Sequence, residues 1–269
     1  MIQITSSQNP RYKQALKLRS RRGRQQQGRF LVDGLREVQR FLRSGLPTSE
    51  LFVCPEWLEA PAYQELSEVA SRLNMPLYEL PSQLFTKLAY GDRAEGVVAA
   101  GLQFHRDLNQ LPLSPTPLFG IVESIEKPGN LGAIMRSCDA VGADGLVHVG
   151  EGTDWYHPNS IRASTGALFS LPCVEANASE ALSWARHNNL RVFAARPDAD
   201  RLYTEVDFRV PCAIVLGSEA RGLSSAWQSS DIMPVRLPMH GVADSLNVSV
   251  TSAVLLFEAL RQRMDIVRA

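Results

Sequence analysis

Hydrophobic and polar positions alternate along this chain with two different periods. Short apolar runs recur between segments whose apolar residues fall three and four apart. Phe30-Leu31-Val32, Leu51-Phe52-Val53, Leu77-Tyr78-Glu79-Leu80 and Gly96-Val97-Val98-Ala99-Ala100 read as strands. Leu35, Val38, Phe41 and Leu42 mark one helix face, and residues 61–73 and 82–89 supply further helices. Asn9-Pro10 gives a helix start, a capping side chain followed by proline at the first helical position. Tyr12, Ala15 and Leu16 make a narrow apolar stripe on that helix. Gly23 and Gly28 flank a polar stretch, Arg24 to Gln27, that reads as a bend between elements. The alternation predicts a small α/β layer domain over residues 1–106.

Residues 107–117 hold three prolines and no periodicity, and read as a linker. A second α/β pattern follows over residues 118–269. Leu118 to Val122 is a buried strand, and Asn130 is expected to cap a helix whose apolar face is Leu131, Ile134, Met135, Cys138 and Val141. Leu146 to Val149, Leu190 to Ala194 and Ala213 to Leu216 are further strands, and a final helix runs from about Asn247 to Arg263.

Composition narrows the class. No apolar run reaches the ~18 residues of a membrane span. The N-terminus lacks the basic-then-apolar layout of a secretory signal, so a cytoplasmic protein is expected. Cys54, Cys138, Cys173 and Cys212 are widely spaced among apolar neighbours, and the five histidines show no ligand spacing. Buried reduced thiols and no metal are expected.

The chain carries 28 basic and 28 acidic side chains, but the balance is local. Residues 1–43 hold eleven basic groups against Asp33 and Glu37, a net +9 that the rest of the chain offsets. Nine of the eleven are arginine, which suits bidentate phosphate contact. A polyanion partner is expected here, with Arg19, Arg21, Arg22 and Arg24 as nucleic-acid contacts; the competing reading is a solvated basic helix.

Three strand-to-loop junctions in the second domain are rich in Gly, Ser and Asn: Glu123 to Arg136, Ile214 to Leu223 and Leu237 to Ser249. Loops beyond the carboxyl ends of strands are where open α/β sheets bind ligands. Singly, each glycine or Asx pair could be an ordinary cap or turn. No phosphate-loop or dinucleotide fingerprint is present.

In this order and spacing, N-L-G-A-I-M-R at 130–136, I-V-L-G-S-E-A-R-G-L at 214–223 and L-P-M through S-L-N-V-S at 237–249 resemble the three motifs of the SpoU/TrmH family. These are S-adenosylmethionine-dependent RNA ribose 2′-O-methyltransferases of the SPOUT class. Asp154 to Pro172, with Asn159, Arg162, Ser164 and Gly166, resembles the family's stretch between motifs one and two. Residues 6–101 more loosely resemble its L30e-like substrate-binding extension. The wording around Lys127 and Ala220 is most similar to the avilamycin-resistance subgroup acting on 23S rRNA. Glu123 stands where many members have aspartate.

The resemblance implies a deep trefoil knot in the second domain, S-adenosylmethionine as methyl donor, an RNA substrate, and a homodimer through the knotted domain with a composite site. By motif position it assigns donor contacts to Gly217, Leu237 and Leu246, with Met239 nearby. It places Arg136 at the centre of catalysis beside Asn130, Glu219, Ser245 and Asn247. A guanidinium stays protonated, so Arg136 is expected to clamp phosphate and stabilise the developing alkoxide. Asn130 and Glu219 would hold Arg136, while Ser245 and Asn247 orient the ribose. Arg162 is expected on RNA phosphate, with Lys127 and Arg221 flanking. A tRNA ribose methyltransferase, a non-catalytic RNA-binding protein of the same fold, and a small-molecule methyltransferase are the alternatives.

Overall fold

The computed structural model describes residues 2–91 and 95–267, with side chains to Met264. The chain forms two compact units: Met1–Phe104 with Tyr156–Phe169, and His105–Trp155 with Ser170–Ala269.

The first unit carries strands β1 (Ile2–Gln3), β2 (Arg29–Asp33), β3 (Thr48–Val53), β4 (Leu77–Glu79) and β5 (Val97–Leu102). They form one mixed sheet in the order β1-β4-β3-β5-β2. Helices α1 (Pro10–Lys17), α2 (Arg21–Gln27), α3 (Leu35–Arg43), α4 (Ala60–Arg72) and α5 (Ser82–Leu88) connect them. Asn9 caps α1 as expected, its side chain accepting from the backbone N–H groups of Arg11 and Tyr12. Tyr12 and Ala15 are buried beneath it, and the Tyr12 hydroxyl donates to the Leu84 carbonyl at 2.8 Å.

The stretch expected to bend is instead helix α2. The Ser20 hydroxyl accepts from Gly23 N–H at 3.1 Å, and Gly28, at φ +60°, closes the helix in the left-handed conformation that glycine adopts freely.

The second unit holds β6 (Leu118–Glu123), α6 (Pro128–Ala140) and β7 (Gly145–Val149). Helix α7 (Pro158–Ser164) then belongs to the first unit, within the segment Tyr156–Phe169. Aromatic packing accounts for that: Tyr156 lies 4.6 Å from Phe30, ring to ring, and Phe169 lies 4.9 Å from Phe41. The chain continues through β8 (Cys173–Ala176), α8 (Ala178–His187), β9 (Arg191–Ala195), β10 (Cys212–Leu216), β11 (Ile232–Val235) and α9 (Val248–Val267). The six strands are parallel, ordered β11-β9-β10-β6-β7-β8. Helix α6 is apolar on most sides because it is enclosed: Leu131, Ile134, Met135 and Cys138 are wholly buried, and α9 packs against it.

The proline-rich stretch expected to be a linker is built into this unit. Leu111 is buried in its core, and Asp144 accepts from the backbone of Ser114 and Leu118, both at 2.8 Å. Arg263, near the end of α9, donates to the carbonyls of Thr116, Pro117, Phe208 and Val210 at 2.6–3.1 Å. One side chain therefore ties α9 to two other segments. Arg263→Ala is expected to cost about 2–4 kcal/mol, because four carbonyls lose a charged donor together. A chemical-denaturation midpoint unchanged within error would refute that role.

Candidate functional site

The parallel sheet changes winding direction between β6 and β10. From β6 the chain passes through α6 to β7 on one side, whereas β10 lies on the other. Loops leaving the carboxyl ends of two such strands diverge and leave a crevice. A cavity of about 440 Å³ opens there. It lies at the ends of β9 (Ala195), β10 (Leu216) and β11 (Val235), with Lys127 from the loop after β6 and Val248 and Thr251 from the start of α9.

The loop after β10 is unusually tight. Ser218 and Gly222 exchange backbone hydrogen bonds at 3.1 and 3.0 Å, and the Ser218 hydroxyl accepts from Arg221 N–H at 3.0 Å. A Cβ on Gly217 would lie 2.2 Å from the Gly222 carbonyl carbon and 2.5 Å from the Leu223 nitrogen. Only glycine fits where the strand meets the loop. The backbone at Gly217 therefore faces the cavity with no side chain in the way.

Gly217, Leu237, Met239 and Leu246, the positions matched to donor contact, all line the cavity. Glu219, Ser245 and Asn247 line it too. Asn130 stands just outside and joins them: its amide donates to Glu219, and its carbonyl oxygen accepts from Asn247 at 3.3 Å. Asn247 also accepts from the N–H and hydroxyl of Ser249, at 3.0 and 2.6 Å, which fixes the first turn of α9. One chain of side chains thus binds the three motif segments together.

Two sequence expectations need correction. Helix α6 begins at Pro128 with Lys127 at the cap position, so Asn130 is inside the helix and its side chain is released for Glu219. Asn130 and Glu219 hold each other, not Arg136. Arg136 lies six residues further along α6, a rise of roughly 9 Å and a different helix face. It is exposed and does not line the cavity.

The basic segment is also reassigned in part. Arg24 is 2% exposed and donates to the Leu18 and Arg19 carbonyls at 3.1 and 3.3 Å, so it closes the α1–α2 turn and does not meet a ligand. Arg19 forks onto Asp33 at 2.7 and 2.6 Å and donates to the Leu88 carbonyl at 2.7 Å. Its guanidinium is spent inside the first unit. Arg21 and Arg22 are exposed at the start of α2, and Arg11, Lys13 and Lys17 are exposed on α1. Arg162 is exposed on α7 and borders a small pocket of the first unit with Asp33, Glu37, Tyr90 and Glu95.

Arg196, Pro197 and Arg236 line the main cavity and were not anticipated. Their signal was available: Ala194-Ala195-Arg196-Pro197 ends a parallel strand. Arg196 is forked onto Asp198 at 3.0 and 2.7 Å. Those bonds hold the Asp198 carboxyl below its ordinary value and the Arg196 guanidinium above its own.

The four cysteines are buried thiols, as expected. Burial pushes Cys138 up to about 12 and Cys212 up to about 11, so neither offers a thiolate nucleophile. Among the described residues no cluster of three His, Cys, Asp or Glu could hold a metal ion.

Comparison with known proteins adds the following. Residues 117–257 match the SpoU rRNA Methylase family, and residues 9–99 match the MRM3-like substrate binding domain. A 23S rRNA (uridine(2479)-2′-O)-methyltransferase of Streptomyces viridochromogenes is 32% identical, covering 97% of this chain and 92% of that protein. The crystal structure of an RNA 2′-O ribose methyltransferase is similar with a TM-score of 0.84 at 41% identity, over 98% of this chain and 100% of the other. The SpoU methyltransferase AviRb of Streptomyces viridochromogenes, in complex with AdoMet, gives a TM-score of 0.87 at 31% identity over 96% and 99% of the two chains.

Proposed function

The chain belongs to the SpoU rRNA methylase family, and from that premise we propose that its cavity binds S-adenosylmethionine and that it methylates a ribose 2′-hydroxyl of 23S rRNA. The observation that carries this reading is a single cavity lined by residues of all three strand-to-loop junctions, Lys127 from the first, at the point where the sheet reverses. At about 440 Å³ it lies within the ordinary range of small-molecule sites. Its lining carries both signs, Glu219 and Asp244 against Lys127, Arg196 and Arg236, which suits a ligand bearing a sulfonium, an ammonium and a carboxylate.

The donor supplies an electrophilic methyl group on a sulfonium. The chain must then hold the 2′-oxygen in line and help its proton leave. Gly217, Leu237, Met239 and Leu246 form the donor pocket. Asn130, Glu219 and Asn247 fix the three loops, and Ser245 and Asn247 orient the ribose. Arg136 clamps the adjacent phosphate and stabilises the alkoxide.

Arg136 reaches that position from the partner protomer of a homodimer. Two observations support this. Arg136 is exposed and outside the cavity of its own chain, and α9 with the residues before it carries an exposed apolar row, Leu246, Val250, Phe257 and Met264. A knotted course of the second unit belongs to the same reading and rests on the match of residues 117–257 to the SpoU rRNA Methylase family. Among the described residues no helix is long and apolar enough to cross a membrane, and the proposed site of action is the cytoplasm.

Tritiated-methyl transfer from S-adenosylmethionine to total RNA of a strain lacking this protein tests the reading. Label is expected in 23S rRNA. Label confined to tRNA would reject the rRNA assignment, and donor binding with no label in any RNA would favour a binding protein. RNA contact by Arg21 and Arg22 has its own measure. Replacing both by alanine is expected to lower the log–log salt slope of RNA binding by roughly 1.4–1.8, and an unchanged slope removes them from the interface.

A further inference from the structure

Glu123 takes no part in the reaction just described, yet it is an acidic side chain only 8% exposed at the end of the central strand β6. Both of its carboxylate oxygens are engaged by one residue. Oε2 accepts the backbone N–H of Ser224 at 2.7 Å, and Oε1 accepts the Ser224 hydroxyl at 2.7 Å. Two bonds to two atoms of one residue fix its rotation as well as its position. Ser224 stands just beyond the Ser218–Gly222 closure, at the exit of the loop that begins with Gly217.

The turn of that loop is exposed, although Ser218 before it is buried and Leu223 after it packs against the core. Glu219, Ala220, Arg221 and Gly222 are all exposed, so no apolar side chain anchors the turn itself. It is tied by hydrogen bonds at two points, Asn130 on Glu219 and Glu123 on Ser224. Glu123 belongs to a strand hydrogen-bonded on both sides, by β7 and β10. The carboxylate therefore links a central strand of the sheet to the exit of the exposed turn.

We propose that Glu123 is a positioning residue for the methyl donor: by gripping Ser224 it sets the loop whose Gly217 backbone meets the donor. The inference rests on reading the cavity as the donor site. It makes a distinctive demand, because what matters is reach and acceptor placement, not charge. Glutamine can satisfy both contacts, its oxygen accepting the N–H while its amide donates to the hydroxyl, which turns to accept. Aspartate, shorter by one methylene, cannot reach both.

The test is calorimetric binding of S-adenosylmethionine to the full chain, with kcat at saturating donor and the thermal midpoint measured beside it. Glu123→Ala and Glu123→Asp are expected to raise the donor Kd and KM about tenfold or more, a loss near 1.4 kcal/mol, while kcat at saturation stays within about threefold. Glu123→Gln should bring Kd back to within about threefold of the parent protein, and Ser224→Ala should fall between. Should Glu123→Ala fail to fold, the aspartate–glutamine comparison decides alone. Donor binding unchanged in Glu123→Asp, glutamine as damaging as aspartate, or a fall in kcat without a change in Kd would overturn the proposal. A parent protein that binds no S-adenosylmethionine would instead overturn the donor-site reading, and this inference with it.

Discussion

Gly217→Ala is expected to abolish donor binding, raising the Kd for S-adenosylmethionine about 100-fold or more, with methyl transfer lost at ordinary donor concentrations. The reason is local and steric. The added Cβ would lie 2.2, 2.4 and 2.5 Å from the Gly222 carbonyl carbon, its oxygen and the Leu223 nitrogen. All three are backbone atoms, so no side chain can swing aside, and the Ser218–Gly222 bridge must open. That bridge sets the direction in which the backbone at Gly217 meets the cavity. Because the loop is exposed, the fold should survive. Gly222→Ala is the companion measurement. Gly222 has φ +65° and no atom within 4 Å of its absent Cβ, so alanine there meets backbone strain alone. A cost of about 1–2 kcal/mol is expected, distinctly milder than at Gly217. Donor binding within threefold of the parent in Gly217→Ala would remove this loop from the donor site.

How far the sequence revealed this architecture depended on burial. Strands β2, β3, β4, β5, β6, β7, β9 and β10 coincide with apolar segments, and hydrophobic pattern alone located them. The strands it missed, β1, β8 and β11, are all sheet edges of two to four residues. An edge strand buries less, so its apolar run is short. In β11 the pattern is further disguised by Pro234, a residue tolerated where one side of the strand is unpaired. The proline-rich stretch before β6 misled for the opposite reason. Prolines suggested a tether, but Leu111 packs into a core that extends to Ile232, and Arg263 bonds to the Thr116 carbonyl 147 positions away, which no local window reports.

The site was legible as a set of loops but not as a network. Three Gly/Ser/Asn junctions pointed to one ligand site, and the motif resemblance supplied its chemistry. Which side chains hold which was not available. Asn130 looked like a helix cap because Asn commonly is one, yet helix α6 starts two residues earlier and Asn130 instead joins Glu219 and Asn247. Arginine counts failed similarly. Net charge over residues 1–43 treats every arginine as available, whereas Arg24 is buried on carbonyls and Arg19 is spent on Asp33. Electrostatic patches must therefore be counted after internal pairing.

Arg136→Ala is expected to lower methyl transfer by about 10²- to 10³-fold while leaving the donor Kd nearly unchanged, since its proposed role is confined to the phosphate and the developing alkoxide. Lysine should not restore it, because a single ammonium cannot reproduce a forked contact. The sharper expectation concerns the dimer. Gly217→Ala removes the donor pocket, and Arg136→Ala removes the clamp. If each site takes its pocket from one protomer and Arg136 of the partner subunit, a mixed dimer contains one site with both defects and one with neither. Co-expressing the two inactive chains in equal amounts makes half of the dimers mixed, so about a quarter of all sites should be intact. Activity near a quarter of the parent level is therefore expected from two chains that are each inactive alone. If each site instead uses its own Arg136, every site in the mixture carries one defect and activity stays at the level of the single variants. Absence of complementation in a dimer shown to contain both chains would return Arg136 to its own protomer's site or remove it from the reaction.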